Sequence, residues 1–123
     1  MTETTLWTNS APTASFANQN ITLSDNISNY DYIAIEVRFS ASYDNRTTYI
    51  YKSSELTNLT TGAQYPMPYL GLDYSGYYYY RVVRYISSSQ LEIGTCKRNT
   101  SSGAPSNANT SVLPLSVKGL KYA

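Results

Sequence analysis

The chain has 123 residues, enough for one domain, and nine basic side chains against eight acidic ones give a formal charge of +1. Only 14% of its residues are charged, against ~25% in an average globular protein, so no basic stripe exists to follow phosphates and nucleic acid is not an expected partner. Membrane insertion is not expected either, since no apolar run approaches the ~20 residues that span a bilayer, and the first eleven residues lack the cationic and apolar segments of a secretory signal.

Taken in chain order, residues 1–14 read as an N-terminal arm or edge strand and residues 15–23 as a strand. A turn follows at Asp25-Asn26-Ile27-Ser28-Asn29-Tyr30-Asp31. The next element is the clearest. In Tyr32-Ile33-Ala34-Ile35-Glu36-Val37-Arg38-Phe39, the side chains of Ile33, Ile35, Val37 and Phe39 share one face while Glu36 and Arg38 occupy the other. Strict period two of this kind belongs to an antiparallel sheet with one buried and one solvated side. Residues 42–46 read as a hairpin connection with Tyr43, Asp44 and Asn45 near its tip, returning through Thr47-Thr48-Tyr49-Ile50-Tyr51.

Residues 52–71 are less regular, and Pro66 and Pro68 exclude a central strand there. The turn residues Asp73, Ser75 and Gly76 then lead into Tyr77-Tyr78-Tyr79-Tyr80-Arg81-Val82-Val83-Arg84-Tyr85-Ile86. This is a strand entered from a loop, and alternation puts two of the four consecutive rings on each side of it. Ser87-Ser88-Ser89 reads as a tight turn into a strand over residues 90–98. Residues 99–111, made of Ser, Gly, Asn, Ala and Pro, read as an exposed flexible loop. Alternation returns through Leu113, Leu115 and Val117, with Pro114 marking an edge strand or a bulge. No stretch carries a useful amphipathic helix. About seven to eight short strands joined by turns predict an all-β antiparallel sandwich or jelly roll in a single domain, residues 1–123.

Chemistry-bearing residues are few. Cys96 is the single cysteine and the chain has no histidine, so an intrachain disulfide is excluded and a thiolate nucleophile would lack an imidazole base. Cys96 therefore reads as a small buried strand residue. Six Asn-x-Ser/Thr sequons, at Asn20, Asn26, Asn45, Asn58, Asn99 and Asn109, read as a by-product of composition. The acids Glu3, Asp25, Asp31, Glu36, Asp44, Glu55, Asp73 and Glu92 lie scattered, mostly in turns. Neither the facing carboxylates of a glycan hydrolase nor a metal-ligand set emerges from them, and no cofactor is implied. Glu36 reads as the partner of Arg38 or of a cross-strand cation. Aromatic and Asx-bearing loops are the remaining signal. Tyr43, Asp44 and Asn45, then Tyr65 and Tyr69, then Asp73 and Tyr74 are candidate ligand contacts, and ordinary solvated turns would carry the same residues. Tyr77, Tyr78, Tyr79 and Tyr80 fit a subunit seam or a core edge better than a ligand surface.

Leu6-Trp7-Thr8-Asn9, the run from Leu23-Ser24-Asp25 to Ile33-Ala34-Ile35, the aromatic–arginine strand from Tyr77 to Ile86, and the close Leu113-Pro114-Leu115-Ser116-Val117-Lys118-Gly119-Leu120-Lys121 resemble small domains in tail fibres and minor structural proteins of phages and prophages of Gram-positive bacteria. The resemblance implies a virion protein made in the bacterial cytoplasm, a β-sandwich head, a homotrimer contacting other virion proteins, and attachment to bacterial cell-surface glycan. The alternative within the same group is a capsid-decorating or fibre-assembly protein without a receptor. Such domains usually end a longer chain, so this one reads as an excised piece or a short standalone protein. The family brings no residue-level binding motif.

Overall fold

The computed structural model describes residues 1–57, 69–74, 76–99 and 105–122. The chain forms strands β1 (Thr2–Thr8), β2 (Gln19–Thr22), β3 (Tyr32–Ser40), β4 (Arg46–Lys52), β5 (Tyr69–Tyr74), β6 (Tyr77–Ser87), β7 (Gln90–Ile93), β8 (Lys97–Arg98), β9 (Ser106–Asn107) and β10 (Ser111–Lys121). A 3-10 turn at Ile27–Asn29 and one helical turn, α1 (Ser53–Leu56), are the helical elements among the described residues. Two antiparallel layers result. One is ordered β1-β10-β3-β4. In the other, β6 is central, with β7 and then β2 along one edge and β5 on the opposite edge.

Alternation decides which faces meet. Ile33, Ile35 and Val37 of β3 are fully buried and Phe39 nearly so, whereas Glu36 and Arg38 stay half-buried on the outer face. Glu36 meets the cross-strand cation Arg46 at 3.7 Å. Across the gap, Val83 of β6, Leu91 and Ile93 of β7, Ile21 of β2 and Leu70 of β5 join the same core, which Val117 of β10 also enters. Ser88 and Ser89 form the tight turn, and their carbonyls accept the N–H groups of Ile27 and Leu23, both at 2.8 Å. Tyr49 on β4 reaches the other layer, its hydroxyl donating to the Gly71 carbonyl and accepting the Gly71 N–H. Tyr49→Phe removes both bonds and leaves a strand N–H and C=O unanswered. Its urea unfolding midpoint is expected to drop by the equivalent of about 1–1.5 kcal/mol.

The structure corrects expectations at three segments. The strand predicted over residues 15–23 is confined to Gln19–Thr22, because Phe16 instead buries its ring in the core from a loop. The strand predicted over 90–98 is broken at residues 94–96 into β7 and β8, and both pieces pair with β6. Cys96 is fully buried as expected but lies in that break, where its N–H is taken by Asn109 Oδ1 at 2.9 Å.

Residues 105–111 of the expected flexible loop 99–111 are docked. β9 pairs with β8, the Ala108 N–H reaches the Cys96 carbonyl at 2.8 Å, and Ser111 is buried. Composition hides this, since the anchors are main-chain groups and the amides of Asn107 and Asn109. Pro114 marks a bulge, because β10 slips register between Pro114 and Ser116, but the strand is internal rather than an edge. Asn9 satisfies the carbonyls exposed at that slip, its Nδ2 donating to Pro114 at 2.8 Å and its N–H to Leu115 at 2.9 Å.

One side chain holds the layers in register. Arg81 on β6 faces inward and is fully buried, with no carboxylate partner among the described residues. Its Nε donates to the Val112 carbonyl at 2.8 Å, one terminal nitrogen to Phe16 at 2.8 Å and Gly94 at 3.0 Å, and the other to Asn109 at 3.2 Å and Ser111 at 3.1 Å. All five guanidinium donors are therefore used. The cation also lies 5.3 Å from the Phe16 ring centre, a cation–π contact. Val112 adopts φ +47°, a strained value for a β-branched residue, and the guanidinium donates to the carbonyls on both sides of that bend.

Candidate functional site

The β3–β4 hairpin loop is held by its own side chains. Ser40 Oγ accepts the N–H groups of Ser42 and Tyr43 at 3.3 and 3.2 Å, and the Phe39 N–H reaches the Asn45 carbonyl at 2.9 Å. Beneath the loop, Arg38 Nε donates to the Ser40 carbonyl at 2.8 Å. Arg46 grips Asp44 in two-pronged fashion at 2.8 and 3.3 Å, and Arg38 lies 3.6 Å from the same carboxylate. The hydrogen bond from Arg46, with help from the Arg38 charge, holds the Asp44 carboxyl below its ordinary range. An exposed turn would otherwise sample many shapes, whereas this one is braced.

Aromatic rings link that loop to the other layer. Tyr43, 51% exposed, tilts over Phe39 at 6.1 Å, and Phe39 meets Tyr79 edge-on at 5.4 Å. Two residues earlier on the same face of β6, Tyr77 is 39% exposed with the Arg98 guanidinium 4.8 Å from its ring centre. On the outer face Tyr78 and Tyr80 stack at 5.8 Å. Asn99 clamps the start of β6, its Oδ1 accepting the Tyr78 N–H at 2.6 Å and its own N–H reaching the Tyr78 carbonyl at 3.1 Å. The β5–β6 turn therefore lies at the same end of the sandwich as Tyr43, Asp44 and Asn45.

The predicted contacts separate accordingly. Tyr43, Asp44 and Asn45 form the braced tip, and the main chain of Asp73 and Tyr74 lies beside the β5–β6 turn, opposite Tyr78 and Tyr77. Tyr69 pairs with Val82, five residues further along β5 from Tyr74 and so about 17 Å from the turn at ~3.3 Å per residue. It does not join the group. Tyr65 lies outside the described residues. Of the four consecutive tyrosines, Tyr79 packs against the core, Tyr80 is half-buried, and Tyr77 and Tyr78 are exposed.

Sequence reasoning missed the cations. Arg38 and Arg46 brace the tip and Arg98 covers Tyr77. The spacing Asp44-Asn45-Arg46 could have revealed one of them, but nothing local pointed to Arg98. Among the described residues no group of three or more His, Cys, Asp or Glu side chains could hold a metal. The surface that results offers exposed ring faces, tyrosine hydroxyls, guanidinium donors and a fixed, ionised carboxylate. Such a set can hold a ligand by stacking and hydrogen bonding. No protein-family model matches the chain, and neither does any curated protein or solved structure.

Proposed function

We propose that this protein is an attachment module of a phage virion, which binds bacterial surface glycan through its hairpin-tip end without chemical turnover. The carrying observation is the braced tip, where Tyr43 exposes its ring beside an Asp44 carboxylate locked by Arg38 and Arg46, with the exposed Tyr77 ring at the same end of the sandwich. Sugars present apolar C–H faces and outward hydroxyls, which suit aromatic rings bordered by fixed polar groups. Asp44 serves Arg46 and its carboxyl is held below the ordinary range, so it is not disposed to donate a proton at neutral pH, and that favours binding over hydrolysis. A single shallow tip binds weakly, and three tips on one homotrimer would build affinity by effective concentration.

The test is a glycan array on the wild-type protein followed by titration of the best ligand into a Tyr43→Ala/Tyr77→Ala variant. Binding is expected to weaken at least tenfold, about 1.4 kcal/mol, with the circular dichroism spectrum unchanged. Equal binding by the variant would remove the tip from the proposal.

A decoration or fibre-assembly role is the second reading, favoured by the stacked Tyr78–Tyr80 pair and by Ile50, 58% exposed on the outer face of β4. Exposed aromatic and aliphatic groups of this kind suit burial between subunits. A trimer in solution together with silence across the array would favour it.

A further inference from the structure

At the end of the sandwich opposite the hairpin tip lies a polar cleft of about 370 Å³, set apart by the nine-residue length of β3, roughly 30 Å. One wall comes from Ser28, Tyr30 and Asp31 in and after the 3-10 turn, and the other from Ser53, Ser54 and Thr57 in and after α1. The walls are tied together by the Ser53 N–H, which donates to the Asp31 carbonyl at 3.1 Å.

The lining is pre-set. The Tyr30 hydroxyl donates to Asp25 Oδ2 at 2.9 Å, and the ring lies where Gly119 has no side chain, since a Cβ there would come within 2.5 Å of ring carbons. Asp31 Oδ2 accepts the Tyr122 N–H at 2.8 Å, and Thr57 Oγ1 donates to the Ser54 carbonyl at 3.1 Å. Ser53, only 5% exposed, has a buried Oγ with no hydrogen-bond partner among the described residues. Buried hydroxyls are nearly always paired, so an unpaired one in the lining of a cavity marks a bond that something else completes.

We infer that this cleft is a second ligand site, which takes one uncharged saccharide unit. Among the described residues the lining consists of five hydroxyl side chains and one carboxylate, with no lysine or arginine. Hydroxyls donate and accept, and a carboxylate accepts from two neighbouring hydroxyls, a match for the vicinal alcohols of a sugar ring. Asp31 in the wall, with Asp25 behind Tyr30, disfavours an anionic ligand. The volume falls near the lower bound of small-molecule clefts, about 300 Å³, which suits one ring rather than an extended chain. This assignment stands apart from the role of the tip.

The experiment is a two-dimensional amide NMR titration of the full chain with glucose, with N-acetylglucosamine and, as the charged control, with glucuronate. Either neutral sugar is expected to shift amides of residues 28–31 and 53–57 with a dissociation constant on the order of 1 mM. Glucuronate is expected to leave them still. Ser53→Ala and Asp31→Asn should each weaken binding at least fivefold. Ser53→Ala removes only an unpaired hydroxyl, and Asp31→Asn keeps an oxygen for Tyr122, so both are expected to keep the wild-type spectrum elsewhere. Failure of both neutral sugars to move these amides, equal shifts from glucuronate, or unchanged affinity in both variants would each overturn the assignment. Amides of residues 40–46 report the tip in the same spectra, so the two sites succeed or fail separately.

Discussion

Replacing Arg81 with methionine is expected to cost about 4 kcal/mol or more of stability, a large share of the ~5–15 kcal/mol that holds a typical domain together. Methionine fills much of the same volume and removes a charge that burial disfavours. The burial cost is visible in the guanidinium itself, whose pKa burial pulls down to about 10. Relief of that cost is the argument for a neutral outcome, and buried ion pairs have shown it when all partners are replaced together.

Here the partners cannot be replaced, because they are main-chain carbonyls. Those of Phe16 and Gly94 have no other donor among the described residues. The carbonyls of Ser111 and Val112 flank the +47° bend, which loses the group that bridges it. Each unanswered buried acceptor costs ~1–3 kcal/mol, and several such losses outweigh the charge relief. Arg81→Lys keeps the charge but offers three donors in place of five, so its loss should be intermediate. Urea unfolding of the three proteins checks the order, and an Arg81→Met midpoint equal to the wild type would refute the account.

The second large effect is alkaline. Burial pushes the Cys96 thiol up to about 11, and the nearby Arg81 charge only partly offsets it. In the unfolded chain the thiol ionises near its ordinary value, ~8.5–9. Between these values the unfolded state has released a proton that the native state retains, so stability is complete below about pH 9 and falls as pH rises toward 11. The loss due to this group is about 2 kcal/mol between pH 8 and pH 11.

Two other groups titrate nearby. Burial raises Tyr51, which adds to the alkaline loss, whereas the lowered Arg81 works the other way above about pH 10. Cys96→Ala isolates the thiol. Its stability should decline less steeply than the wild type over that window, and parallel curves would show that thiol ionisation does not drive the loss.

Period-two alternation is imposed by local sterics, so it could be read without knowing any partner strand. It placed Ile33, Ile35, Val37 and Phe39 on a buried face, located the β3–β4 and β6–β7 hairpins, and determined the all-β sandwich. The same alternation put Arg81 on the inward face with Val83, yet no residue near it in the chain explains a buried cation. Its five acceptors come from residues 16, 94, 109, 111 and 112, and only the packing of two layers brings those carbonyls to one point.

Other features depended on the same long-range placement. The internal position of β10, and with it a bulge rather than an edge at Pro114, followed from strand order, which side-chain pattern does not encode. Residues 105–111 looked unanchored because their ties are main-chain bonds and two asparagine amides. At the candidate sites, Tyr43 and Asp44 were legible as hairpin residues, but their arginine bracing and the link from Tyr43 through Phe39 to Tyr79 required coordinates. The cleft was not legible at all, since its walls are about twenty-five residues apart in the chain and are joined only when β3 and β4 pair. Short-range sterics set the strands and their faces, and contacts between distant main-chain groups decided where the buried cation, the docked loop and the cavity would form.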